Sequence, residues 1–268
     1  QPGDRVTFDS TIYCGACAFC RAGRVNLCDN RTVLGVSCED YRRDGAFAEY
    51  IAVPMHIVHR IPDGLSYEHA SLVEPVSVAL HAVSRASIAP DDTAVVIGAG
   101  TIGLLAMQAL KAAGCGRVIA VDVDDDRLRL AEKLGATDII NARHDSPTES
   151  IIPLTRGQGA DIVLEAVGTE ETVRAGMACV RKGGTVILVG NITPNVSFPL
   201  QAAVTREITV LGSCAIAGEY PTAIDLLSRG EILVEPIISA RVPLDEGPQW
   251  FERLYNKEPG LLKVVLCP

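Results

Sequence analysis

Between residues 93 and 228 short apolar runs alternate with segments whose apolar positions recur at helical spacing. Ala94-Val95-Val96-Ile97 is continuously apolar, as expected of a strand covered on both faces. The pattern then predicts a helix over 102–113, a strand over 118–121 and a helix over 127–134 that stops at Gly135. Further strands are predicted at 138–140, 162–164, 185–189 and 208–211, with helices near 170–180 and 220–228. Six strands interleaved with helices define the class as α/β, a doubly wound parallel sheet.

The flanks read differently. Residues 1–60 are turn-rich, and alternation with β-branched residues predicts strands at 5–8 and 46–53. A helix is expected over about 67–86, with Ser66 as N-cap and Pro75 starting a new turn or kinking the old one. After Gly230 come breaks at Glu235-Pro236 and Val242-Pro243, a short helix near 246–256 and a last strand at 262–266. The sequence contains no internal repeat.

Composition narrows the partners. The 268 residues are 48% hydrophobic, enough for one large core or two modest ones. A formal charge of −9 without a basic stripe argues against a nucleic-acid partner. No apolar run is long enough to cross a bilayer, so no membrane partner is expected. The opening Gln1-Pro2-Gly3-Asp4-Arg5-Val6 has no Met or signal peptide and reads as the middle of a β-domain, so upstream material is expected. Nine cysteines, an odd number without an export signal, point to a reducing compartment and a cytoplasmic protein. Cys38, Cys115, Cys179, Cys214 and Cys267 are scattered and read as core filling.

Cys14-x2-Cys17-x2-Cys20-x7-Cys28 is the sharpest chemical signal. Structural zinc takes four thiolate or imidazole ligands in a closed tetrahedron, and this loop with Gly15 and Gly23 can supply four thiolates. Arg21, Arg24 or backbone amides could offset the excess negative charge. An iron–sulfur cluster is the first alternative, but the proline of ferredoxin-type runs is missing after Cys28. A disulfide pair, the second, needs an oxidising compartment.

Gly98-Ala99-Gly100-Thr101-Ile102-Gly103 follows a predicted strand and opens a predicted helix, the context that gives a G-x-G-x-x-G pattern its mechanism. Gly98 allows the tight turn, Gly100 lets backbone approach a pyrophosphate, and Gly103 permits close helix–strand packing. Backbone N–H groups near Thr101 and Ile102 would face the anion. Asp122, nineteen residues beyond Gly103, can accept from adenosine ribose hydroxyls and repel a 2′-phosphate, favouring NAD over NADP. Arg127 could instead lie over adenine or accommodate a phosphate, although Asp124, Asp125 and Asp126 stand beside it.

The four-cysteine lobe, Gly45-Ala46-Phe47-Ala48-Glu49-Tyr50 and the GAGTIG turn occur in that order along the whole chain, which resembles the zinc-dependent medium-chain dehydrogenase/reductase family. The stretch Leu72-Val73-Glu74-Pro75-Val76-Ser77 resembles its polyol branch, the sorbitol and L-iditol dehydrogenases. The resemblance implies a partial GroES-like β-rich catalytic domain at 1–88, with the zinc lobe, a Rossmann domain at 89–234 and a return to the catalytic domain at 235–268. It implies that Glu74 is catalytic, holding a catalytic zinc directly or through water, while the family's other ligands, a cysteine and a His-Glu pair, lie upstream of Gln1. It also implies cofactor contacts at Val189, Gly190, Asn191, Cys214, Ala215 and Lys263. Where sorbitol dehydrogenase has an Arg-Tyr pair, this chain has Ala215-Ile216, which puts a long polyol in doubt. His56 and His59 form an H-x-x-H pair that reads as surface histidines, and His69 and His81 carry no clear signal.

The implied activity is hydride transfer from a small-molecule secondary alcohol to NAD, giving a ketone, in a homo-oligomeric enzyme (dimer or tetramer). Two alternatives stay open: a non-catalytic NAD-binding module held by structural zinc, and a dehydrogenase for 2,3-butanediol, threonine or a polyol phosphate.

Overall fold

The computed structural model describes residues 1–36 and 39–268, so Cys38 lies outside the described residues. These residues fall into two units, Gln1–Val78 with Ala215–Pro268, and Ala79–Cys214. The central unit begins and ends earlier than the 89–234 expected from sequence, and residues 220–228 group with the chain ends.

In the first unit β1 (Val6–Phe8) leads through β2 (Thr11–Ile12) and the one-turn helix α1 (Ala18–Arg21) to β3 (Thr32–Leu34), β4 (Arg42–Arg43) and β5 (Val58–Arg60). β1 pairs antiparallel with β5, and β2, β3 and β4 form a three-stranded sheet. The Arg5 guanidinium fastens the start of β1 to the turn after β5, donating to Pro62 O at 3.0 Å, Asp63 O at 3.1 Å and Leu65 O at 2.7 Å. Residues 46–53 form no strand. Their alternation gives the right faces, but no described strand pairs with them, and extended backbone without a ladder partner is not a strand.

The expected helix over 67–86 is two helices, α2 (Tyr67–Ala70) and α3 (Val73–Val83). Ser66 caps α2, its Oγ accepting from His69 N at 3.1 Å. Pro75 lies in the first turn of α3, where its missing N–H costs no helical bond.

The second unit is the predicted sheet. β6 (Thr93–Ile97), α4 (Thr101–Ala112), β7 (Arg117–Asp122), α5 (Asp125–Lys133), β8 (Asp138–Asn141), α6 (Pro147–Leu154), β9 (Ala160–Glu165), α7 (Glu170–Cys179), β10 (Val180–Leu188), α8 (Leu200–Thr205) and β11 (Thr209–Gly212) follow in order. The sheet runs β11-β10-β9-β6-β7-β8 with all pairs parallel, so strand order reverses between β6 and β9. Open α/β sheets bind ligands outside the C-terminal strand ends at such a reversal. Ala94, Val95 and Val96 are at most 1% exposed, which accounts for their unbroken apolar run. Arg117 clamps β7 to β8 with two bonds to Asp138, of 2.8 and 2.9 Å.

Returning to the first unit, the chain forms α9 (Tyr220–Ser228), β12 (Ile238–Pro243), α10 (Gly247–Tyr255) and β13 (Lys263–Cys267), with β12 and β13 parallel. Tyr220, 1% exposed, donates its hydroxyl to Phe8 O at 2.8 Å and so ties α9 to β1. Among the described residues no helix is long and apolar enough to cross a membrane. Cys115 and Cys179 are buried as expected, but Cys214 is exposed and Cys267 half-buried, because both lie at strand ends rather than on core faces.

Candidate functional site

The loop of residues 14–28 gathers the four cysteine sulfurs within 4.8 Å of one another. Zn–S bonds of about 2.3 Å in a tetrahedron place sulfurs roughly 3.8 Å apart, so the donor set fits zinc in both chemistry and spacing. Gly15 and Gly23, with φ of +71° and +76°, make the turns that fold the loop on itself. Backbone amides supply the charge compensation. Cys14 Sγ accepts from Ala16 N and Cys17 N, both at 3.4 Å, and Cys28 Sγ accepts from Cys14 N at 3.3 Å and Asn30 N at 3.4 Å. Cys17 caps α1, accepting from Cys20 N at 3.5 Å. Of the two arginines, Arg21 donates to Ala16 O and Arg24 lies 5.9 Å over the Phe19 ring.

The amides of Ala16 and Cys17 hold the Cys14 thiol down to about 6, and that of Cys20 lowers Cys17. Loss of water contact and the neighbouring Cys17 push Cys20 up to about 12. Four adjacent thiols cannot all ionise without a cation, which a zinc ion supplies.

At the C-terminal end of β6 the glycine turn is built by backbone contact. Gly98 has φ +96°, and a Cβ there would lie 2.6 Å from Val167 Cγ2. A Cβ on Gly103 would lie 1.7 Å from Gly98 O, so α4 can pack this tightly only with glycine. A Cβ on Gly100 would meet nothing within 4 Å, and this side of the turn is open. Gly100 is the N-cap of α4 without a side-chain cap, and no acidic residue occupies the first turn containing Thr101 and Ile102. This cradle suits a diphosphate.

Asp122, 8% exposed, reaches into the same turn. Its Oδ2 accepts from Ala99 N at 2.6 Å, and Oδ1 accepts from Val123 N at 2.8 Å and Asp124 N at 3.0 Å. Asp124 caps α5, accepting from Asp126 N and from the Arg127 amide. Across the sheet, the amides of Val189 and Gly190 both donate to Glu165 O, at 2.9 and 3.1 Å, placing Val189-Gly190-Asn191 beside the end of β9. Cys214 lies just past β11, and Ala215 has φ +52°.

In the first unit Glu74, in the opening turn of α3, is half-buried and lines a cavity of 850 Å³ with Phe8, Phe47, Tyr67, Tyr220 and Phe251. Burial raises its pKa, Lys263 lowers it, and Asp9 raises it. Lys263 is thus an electrostatic partner of Glu74. Ile216 is fully buried and forms core rather than a cavity wall. The two histidines of the H-x-x-H pair do not converge on one site. His56 packs edge-on to Tyr13, and His59 stacks on Tyr220, each at 4.8 Å. His69 Nε2 lies 2.7 Å from Glu235 Oε2. Sequence reasoning missed Asp9, Tyr220 and Glu165. Of these, Glu165 left a trace, as a charge closing an apolar strand.

A raised pKa means that the folded protein holds the Glu74 proton more tightly than the unfolded chain. Its contribution to stability is complete below the ordinary glutamate value and fades as pH rises through the raised one. Glu74→Gln removes that loss, so its melting temperature exceeds wild type at about pH 7 and converges with it near pH 4. Parallel melting curves across this range would refute the burial argument.

Residues 1–63 match the family model for the alcohol dehydrogenase GroES-like domain, and residues 101–229 the model for zinc-binding dehydrogenase. The chain belongs to the zinc-dependent medium-chain dehydrogenase/reductase family, in its polyol-dehydrogenase-like branch, and is an oxidoreductase of that family. It is 35% identical to sorbitol dehydrogenase of Bacillus subtilis over 268 residues, 99% of this chain and 74% of that protein. It is 34% identical to D-xylulose reductase A of Aspergillus oryzae over 257 residues, 94% of this chain and 71% of that protein. A zinc-binding dehydrogenase of Sinorhizobium meliloti 1021, solved bound to NADP, superposes with a TM-score of 0.90 at 36% identity, covering 100% of this chain and 78% of that one.

Proposed function

We propose that this chain binds NAD at the 98–103 turn and oxidises a small secondary alcohol of polyol type to a ketone. The carrying observation is the turn itself: left-handed Gly98, open space over Gly100 and Gly103 pressed on the Gly98 carbonyl, all beside the strand-order reversal. A nicotinamide dinucleotide whose diphosphate lay there would supply the hydride acceptor. The start of α4 meets the diphosphate with backbone amides and its dipole. Asp122 accepts from the ribose hydroxyls and Arg127 flanks the adenine, while Val189, Gly190, Asn191 and Cys214 take the nicotinamide side. Titration of the free protein with NADH tests this reading, and no saturable binding would end it. A panel of sorbitol, 2,3-butanediol, threonine and a polyol phosphate then ranks substrates.

Asp122→Asn keeps a side-chain acceptor for the turn amides but removes the negative charge that disfavours a 2′-phosphate. The preference for NAD over NADP is expected to fall by about tenfold. An unchanged ratio of dissociation constants would remove Asp122 from cofactor selection.

Cys14, Cys17, Cys20 and Cys28 hold the structural zinc in this proposal. They are the one group of three or more ligating side chains among the described residues, so Glu74 alone does not make a metal site. Its role here is that of an anionic acceptor in the cavity. A reducing, cytoplasmic setting and a homo-oligomer complete the proposal.

A further inference from the structure

Glu165 closes β9 and is 0% exposed. Its register partner across the strand-order reversal is Ile97, the residue before Gly98. A carboxylate so placed is strongly disfavoured unless donors meet it. Two backbone amides do: Val167 N and Gly168 N donate to Oε1 at 2.9 and 2.8 Å, while Val189 N and Gly190 N donate to the main-chain carbonyl oxygen of the same residue.

The two turns gathered in this way touch through backbone. A Cβ on Gly168 would lie 2.2 Å from Asn191 N, and one on Gly190 would lie 2.2 Å from Val167 C. Val167 in turn presses its Cγ2 against Gly98. By fixing Val167 and Gly168, the Glu165 carboxylate therefore braces the turn after β9, on which both the turn after β10 and the glycine turn pack. Asp122 does the corresponding work after β7, with both oxygens engaged. Glu165 engages one: its Oε2 has no hydrogen-bond partner among the described residues. Neither does Ser213 Oγ, just past β11. Buried acceptors without donors are rare, and both stand at the C-terminal edge of the β9–β11 half-sheet.

The geometry points to Glu165 as a positioning residue that sets the turns of the second mononucleotide half, the half that Asp122 does not serve. This rests on the dinucleotide reading of residues 98–103. Because the fold uses a single side-chain oxygen, glutamine can replace it. Titration calorimetry with NADH, and separately with 5′-AMP as a probe of the adenosine half, tests the assignment. Glu165→Ala is expected to weaken NADH by at least about tenfold while 5′-AMP binding stays within about threefold, and Glu165→Gln to restore most of the NADH affinity. Unchanged NADH binding by Glu165→Ala, equal losses for both ligands, or a glutamine variant as weak as alanine would each overturn it. A wild type that binds neither ligand would overturn the dinucleotide reading first, and this inference with it. Should Glu165→Ala fail to fold, hydrogen exchange in the wild type decides. The Val167 and Gly168 amides are expected to be protected, and fast exchange there overturns the brace.

Discussion

Cys17→Ser is expected to reduce bound zinc from about one ion per chain to a small fraction and to open residues 14–30 to proteolysis. The size of the effect follows from what else holds the loop. Residues 14–24 are exposed or half-buried, α1 buries none of its four residues, and within 14–28 only Asn26 and Cys28 are buried. No apolar core can replace the metal there. Structural zinc contributes about 10–16 kcal/mol to small zinc-dependent folds, far more than the ~1 kcal/mol of a typical net hydrogen bond. The loop should therefore lose its structure while the sheet of the second unit keeps its own. Acidification should release the metal as the thiolates are protonated, in step with the loss of loop protection. Cys115→Ser, whose sulfur donates to Asp92 O and Arg117 O, is the control and should keep its zinc. A Cys17→Ser protein with full metal content would refute the closed four-thiolate site.

The same contrast explains what could be read from sequence. The inner strands β6, β7 and β9 were legible because burial on both faces forces unbroken apolar runs, as at Val95 and Val163, both 0% exposed. The glycine turn was legible because backbone packing alone fixes its spacing. Elements that depend on distant partners were not. β12 carries Arg241 and Pro243, and its partner β13 comes some twenty residues later. α6 contains Pro153, which reads as a breaker, yet Ser146 and Pro147 start the helix firmly enough to carry it. Residues 46–53 failed in the opposite sense, having strand alternation without a described strand beside them. In the site, Asp122 was visible at a fixed distance from the glycines. Glu165 was not, because its role arises from how the turn it holds, at Val167 and Gly168, packs on Gly190 and Gly98. His56 and His59 share a motif in sequence, but their rings pack on Tyr13 and Tyr220.

Two alanine substitutions in one turn should have opposite signatures. Gly103→Ala places a methyl 1.7 Å from Gly98 O and 2.8 Å from Gly98 C, both backbone atoms that cannot swing aside. α4 would have to back away from β6, although its Leu104, Leu105, Ala106 and Leu110 are at most 1% exposed and packed in the core. Overpacking of this kind costs about 1–3 kcal/mol and sometimes more. For a chain of this size that lowers the melting temperature by roughly 2–12 °C, and NADH binding should be lost with the turn. Gly100→Ala meets open space at φ −75°, a conformation any residue adopts, so the free protein should melt within about 2 °C of wild type. Its methyl would nevertheless stand where the backbone must approach the diphosphate, and NADH affinity should fall at least tenfold, about 1.4 kcal/mol. Melting curves and NADH titrations on the two variants separate a turn that merely packs from one that also binds. If Gly100→Ala bound NADH as tightly as wild type, the open face of the turn would not be where the diphosphate lies.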